Sequence, residues 1–135
     1  MSTEFLYDVL IREAHLDTFG HVNNATYFEL FEEARWEAIT PRGYGLKEVQ
    51  AKKQGPVVLD AQIKFLKELK LREGIAIKTV CLPFTGKTAK IEQKMVKENG
   101  DVACEVTFTY AFFDLAVRRI IPPTKEWLYA TGVEG

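Results

Sequence analysis

Between His15 and Asn24 the chain reads His15-Leu16-Asp17-Thr18-Phe19-Gly20-His21-Val22-Asn23-Asn24, and no other stretch of the sequence gathers polar, chemically able side chains so densely. Directly after it, Tyr27, Phe28, Leu30, Phe31, Ala34, Ala38 and Ile39 recur at helical spacing among Glu29, Glu32, Glu33 and Glu37. A helix starting near Asn24 turns the unpaired N–H groups of its first turn, and roughly half a unit of positive charge, back toward the loop. Such an end stabilises a carbonyl oxygen as it gains negative charge, with Asn24 and Ala25 as the expected N–H donors. Losing one donor from a well-built oxyanion site costs about 2.7 to 4 kcal/mol in the transition state. Asp17 precedes the helix start by seven residues, and Gly20 between them lets the backbone turn and bring the carboxylate to the same carbonyl. An ionised carboxylate beside a polarised carbonyl is equipment for acyl transfer, either by attack on the carbon or by taking a proton from attacking water.

Each of these residues also has a plainer reading. Asp17 can cap N–H groups of its own loop, and His21 can hydrogen-bond backbone and serve as a support or substrate-binding residue. Asn23 and Asn24 suit a helix cap, which leaves only backbone N–H groups for chemistry there. Tyr27 sits where core packing beneath the site is expected, with its hydroxyl within reach of a substrate. Glu29, Glu32 and Glu33 read as a solvated face or as ion-pair partners of Arg35. Lys64, Lys67, Lys70, Arg72, Lys87, Lys90, Lys94 and Lys97 alternate with glutamates, as solvated strand and turn positions do, although a phosphate group would also suit them.

The elements that must position this loop can be read from periodicity. Phe5, Tyr7, Val9 and Ile11 alternate with Leu6, Asp8, Leu10 and Arg12, a strand with one strongly apolar face. The long helix stops before Pro41, and a brief amphipathic helix over Leu46 to Lys53 ends at Gly55-Pro56. Thereafter the pattern is β: Val57 to Phe65 with Val57, Leu59, Ala61, Ile63 and Phe65 on one face, Ile75 to Leu82, and a strand from Gly86 to about Val96. Its hairpin partner runs from Val102 to Phe113, and Asn99-Gly100 supplies positive φ for the turn between them. One long helix with a wide apolar stripe must bury it against one antiparallel sheet, which gives an α+β domain whose sheet wraps the helix. Small Ala34 and Ala38 would let strands approach the helix closely.

The composition agrees with one ordinary globular unit over residues 1–135. The chain has 135 residues, 47% hydrophobic and 27% charged, with 18 basic against 19 acidic side chains and a net charge of −1. A chain of this length buries about two-thirds of its unfolded surface and needs no metal or disulfide staple. The balanced charge argues against nucleic acid as a partner, since duplex binders carry a basic stripe. Cys81 and Cys104 stand apart without CxxC spacing and read as buried free thiols, so neither a zinc site nor a disulfide framework is signalled. There is no apolar run of membrane-spanning length, and Met1-Ser2-Thr3-Glu4-Phe5 does not have the form of a signal peptide, so a cytoplasmic setting is the expectation.

The string from Asp17 to Tyr27 resembles the active-site loop of hotdog-fold thioesterases of the 4-hydroxybenzoyl-CoA thioesterase type. The resemblance continues through Glu32-Glu33-Ala34-Arg35, the run Val57 to Phe65, and the ending Phe113-Asp114-Leu115 with Arg118-Arg119 and Pro122-Pro123. It implies a hotdog fold of five or slightly more strands around one helix, with the Asp three residues before Gly20 as the catalytic carboxylate. It further implies hydrolysis of an acyl thioester, usually acyl-CoA and alternatively an acyl-carrier protein, without metal or redox cofactor. Gly20, His21, Asn24, Ala25 and Tyr27 are then expected around the substrate. Many relatives carry a second Asp two residues before the catalytic one, where this chain has His15. The resembled family pairs its subunits, so a homodimer or homotetramer with sites between copies is expected. Two other readings keep the fold: a hydratase using Asp17 and His21 on an enoyl thioester, and a binder of acyl thioesters without catalysis.

Overall fold

A computed structural model of the chain describes residues 2–133. The ends of the expected unit, Met1 and residues 134 and 135, lie outside the described residues. Strand β1 (Glu4–Leu10) leads through the loop to helix α1 (Asn24–Ile39), and the short helix α2 (Leu46–Lys52) follows. Strands β2 (Gln54–Phe65), β3 (Gly74–Cys81), β4 (Ala89–Lys97), β5 (Val102–Asp114) and β6 (Arg119–Ile121) complete the sheet, and helix α3 (Lys125–Ala130) closes the order. All pairings are antiparallel in the order β1-β3-β4-β5-β2, with β6 added to β5, which makes six strands and the hotdog arrangement of sheet and central helix.

The helix buries Tyr27, Leu30, Phe31 and Ala34, a spacing that repeats one face of a helix. Their partners are alternate residues of the strands: Ile75, Ile77, Thr79 and Cys81 on β3, and Ala89, Ile91, Gln93 and Met95 on β4. Thr79 and Gln93, 2% and 1% exposed, are the polar exceptions among them, and Gln93 makes most of the bonds. Gln93 Nε2 donates to the Phe31 carbonyl at 2.9 Å and to Thr79 Oγ1 at 3.0 Å, while Gln93 Oε1 accepts from Arg35 Nη1 at 3.0 Å. Helix and sheet are therefore joined by a satisfied polar cluster as well as by apolar contact.

The structure corrects several sequence expectations. Leu59 is a bulge, since Val58 pairs with Tyr110 and Asp60 with Thr109. The extra residue reverses the alternation, so Val57 and Ala61 fall on opposite faces instead of sharing one. The β4–β5 connection is a three-residue loop in which Lys97 N donates to Asp101 O at 2.8 Å and Gly100 N to Lys97 O at 2.9 Å. Only Gly100 there has a positive φ, of 94°, as a type I turn followed by a left-handed glycine requires. Gly86 belongs to the turn before β4, which starts at Ala89. Neither β6 nor α3 was evident in the pattern. Trp127 of α3 is buried among Tyr44, Tyr110 and Phe112, with its Nε1 donating to Tyr110 Oη at 3.0 Å. Arg42 caps this helix by donating to the carbonyls of Tyr129 and Ala130.

Candidate active site

The loop before α1 is built by short-range hydrogen bonds. Asp17 N donates to His21 O at 2.8 Å and Gly20 N to Asp17 O at 3.1 Å, which closes a tight turn. Gly20 has φ 81°, a value that a residue with a Cβ adopts only with strain. The Asp17 carboxylate braces the same turn, with Oδ1 accepting from Phe19 N at 2.9 Å and from His21 N at 3.3 Å. The capping reading of Asp17 is thus realised through one oxygen, while Oδ2 meets no donor among the described residues. His15 is engaged elsewhere, since its Nδ1 accepts from Arg12 N at 2.9 Å.

Asn23 caps α1, its Oδ1 accepting from Ala25 N at 2.9 Å, and Thr26 N donates to Asn23 O at 2.9 Å. This changes the expected pair of oxyanion donors. Ala25 N–H is already satisfied by the cap, whereas the Asn24 N–H meets no acceptor among the described residues. Asn24 is therefore the free donor at the positive end of the helix.

Asp17, His21, Asn24 and Tyr27 come together in one open cleft of about 320 Å³, whose opposite wall is Phe65 to Glu68. The wall is anchored where Leu66 N and Lys67 N both donate to Ala103 O at 2.9 Å. Tyr27 is 5% exposed and meets Phe65 edge-on at 5.0 Å between ring centroids, so the packing reading holds for its ring. Burial raises its phenol pKa, with Glu68 among the charges that add to the effect. His21 Nδ1 pairs with Glu68 Oε1 across the cleft. The sequence pattern gave Glu68 no role beyond a solvated charge between lysines. Only its position just after the β2 run hints at the meeting.

Other expectations resolve outside the cleft. Glu33 accepts from the Tyr7 hydroxyl, a bond that pushes the phenol pKa up to about 12, with desolvation adding to it. Arg35 pairs with Gln93 and stacks on Phe108 at 4.4 Å, not on a carboxylate; desolvation lowers its pKa. Of the basic residues, Lys67 lines the cleft, while Arg72 pairs with Glu13 at 3.1 Å and Lys97 with Glu73 at 3.0 Å. Cys81 and Cys104 are buried free thiols, and desolvation pushes each up to about 12. A second cavity of about 110 Å³ lies under the C-terminal half of α1, lined by Arg35, Trp36, Ile39, Ile91, Tyr110 and Trp127 among others, with no residue of the Asp17 loop. Among the described residues no cluster of His, Cys, Asp and Glu has metal-binding geometry, and no helix is long and apolar enough to cross a membrane.

Comparison with known proteins places these features in a family. The chain is 27% identical over 114 residues to the long-chain acyl-CoA thioesterase FadM of Escherichia coli, across 84% of this chain and 86% of FadM. The crystal structure of Escherichia coli YbaW superposes with a TM-score of 0.83 at 25% identity, covering 95% of this chain and 98% of that one. SAV2348 of Staphylococcus aureus, solved in complex with CoA, gives a TM-score of 0.86 at 17% identity over 96% of this chain and 82% of its own. The thioesterase-like superfamily matches residues 11–131, nearly the whole length, and the chain belongs to it.

Proposed function

We propose that this protein hydrolyses acyl-CoA thioesters to a free acid and a thiol, with Asp17 as the catalytic carboxylate. The observation that carries this reading is the shared cleft, lined by both Asp17, whose Oδ2 meets no donor among the described residues, and Asn24, whose N–H meets no acceptor among them. A thioester carbonyl bound against that N–H and the positive helix end becomes more electrophilic at carbon. Asp17 then attacks the carbon or removes a proton from water that does. The sulfur leaves as a stable thiolate and needs no strong acid. The acyl-CoA preference is supported by the likeness to FadM, a long-chain acyl-CoA thioesterase, and to SAV2348, which holds CoA.

The working unit in this proposal is a homo-oligomer of single-domain chains in the reducing cytoplasm, where both cysteines stay thiols. Strand β2 supports self-association: its 12 residues form a sheet edge that carries exposed Val58, Leu59 and Phe65, with Leu66 next to them. A long edge of this kind invites pairing with another strand. The cleft wall continues directly from it, so a second copy there would complete the substrate pocket.

The test is thiol release from a panel of short, long and aromatic acyl-CoAs by purified protein. Turnover of at least one class, abolished in Asp17→Asn, is the expected outcome. Saturable binding without thiol release would leave a binder, not an enzyme.

A further inference from the structure

His21 is held from two elements at once, its backbone by its own loop and its imidazole by Glu68. From its own loop, His21 N donates to Asp17 Oδ1 and His21 O accepts from Asp17 N. From across the cleft, Glu68 Oε1 pairs with His21 Nδ1. Glu68 is itself well placed for this, because Leu66 N and Lys67 N grip the Ala103 carbonyl just before it and fully buried Leu69 pins the chain just after it.

The pair does little for stability. The side chains of His21 and Glu68 are 58% and 45% exposed, and exposed ion pairs are screened by solvent. Its consequence is chemical. A carboxylate accepts and does not donate, so the imidazole nitrogen facing it carries the hydrogen. The neutral ring is then the Nδ1–H tautomer, with its lone pair on Nε2, the nitrogen left for water or substrate in the cleft.

We propose that Glu68 is a positioning residue of this site, holding His21 as the Nδ1–H tautomer so that Nε2 accepts a hydrogen bond from the water consumed in the reaction. This rests on the hydrolytic reading given above. When Asp17 acts as base, the water oxygen bonds to the carbonyl carbon and one proton passes to Asp17 Oδ2, while the other hydrogen is directed at His21 Nε2. The carbon–sulfur bond breaks, the sulfur keeps the electron pair, and the proton on Asp17 passes to it, which yields acid and thiol. When Asp17 attacks first, the sulfur leaves at that step and the same water opens the resulting anhydride, its two hydrogens ending on the acid and the thiol.

The experiment compares wild type, Glu68→Ala, His21→Ala and the double variant by thiol release over a range of acyl-CoA concentrations, with Asp17→Asn alongside. Glu68→Ala is expected to lower kcat about 10- to 100-fold with KM nearly unchanged, by analogy with the loss when partners that orient metal-ligating histidines are removed. The double variant is expected to be no slower than His21→Ala alone. Nitrogen-15 imidazole spectra of the unliganded protein read the tautomer of the neutral ring without turnover. They are expected to show His21 protonated at Nδ1 in wild type and to lose that bias in Glu68→Ala. Wild-type kcat in Glu68→Ala, multiplicative losses in the double variant, or an unchanged tautomer would overturn the proposal. An inactive Asp17→Asn beside a normal Glu68→Ala refutes this inference alone, whereas a fully active Asp17→Asn refutes the hydrolytic reading beneath it.

Discussion

Asp17→Asn and Asp17→Ala separate what the carboxylate does chemically from what it does for its loop. In the native turn Oδ1 accepts from Phe19 N at 2.9 Å and from His21 N at 3.3 Å. Asparagine offers a carbonyl oxygen to the same two donors, so the turn survives and only charge is lost. Hydrogen bonds to a charged acceptor contribute about 1.5–3 kcal/mol against about 0.5–1.5 for a neutral one, so the expected cost to stability is about 1 kcal/mol at this partly exposed site. Alanine removes both bonds and costs about 1 to 2 kcal/mol more, with a melting temperature lower by roughly 3–5 °C for each kcal/mol. The kinetic loss is much larger. A positioned base supplies about 100- to 10,000-fold in rate, or about 3 to 5.5 kcal/mol, and asparagine cannot replace it as base or nucleophile. Thiol release from acyl-CoA and thermal melting are measured on all three proteins. Both variants should lose at least about 100-fold in kcat/KM, while only the alanine form melts well below wild type. An Asp17→Asn protein within about threefold of wild-type rate, a change too small for loss of a general base, would refute the reasoning.

Other consequences are open to direct measurement. Gln93→Leu strands the Thr79 hydroxyl and one Arg35 N–H in the core, and is expected to cost about 3 kcal/mol, on the order of a 10 °C fall in Tm by calorimetry. Cys81 and Cys104, with pKa values near 12 through desolvation, should be silent to a thiol reagent at neutral pH in the native protein and both react after denaturation, so they add no background to the thiol-release assay. Rapid labelling of the native form would contradict their burial. Leu59→Lys places a charge on the exposed β2 edge and should convert an assembly of at least twice 15.4 kDa, measured by light scattering, into monomers with little activity. A wild-type protein that is both monomeric and fully active would remove the shared-site proposal.

Much of the site was legible because its logic is local. The Asn23 cap, the Asp17–Gly20 turn and the apolar stripe of α1 each involve residues within one or two turns of chain, so residue type and spacing alone point to them. The same locality explains one error. Residue type offers both Asn23 and Asn24 as caps; Asn23 takes the role and consumes the Ala25 N–H, a competition that shows only once the geometry is drawn.

What the sequence by itself determined is the loop, the long helix, the strands with clear alternation and the hotdog resemblance, all features whose physical cause lies in neighbouring residues. Tertiary structure decided the rest, because those features depend on which strands become adjacent and in what register. The bulge at Leu59 exists only in the pairing of β2 with β5, and it reverses which side chains of β2 beyond it share a face with Val57. Arg35 turned to Gln93 and not to a glutamate of its own helix because the sheet brings a buried amide within 3.0 Å of it. Glu68 meets His21 only because the Ala103 carbonyl of β5, accepting from Leu66 N and Lys67 N, fixes the chain leaving β2 against the mouth of the loop. Neighbouring residues announce a helix end, but a carboxylate brought from the distant β2–β3 connection to meet His21 is visible only in the folded chain.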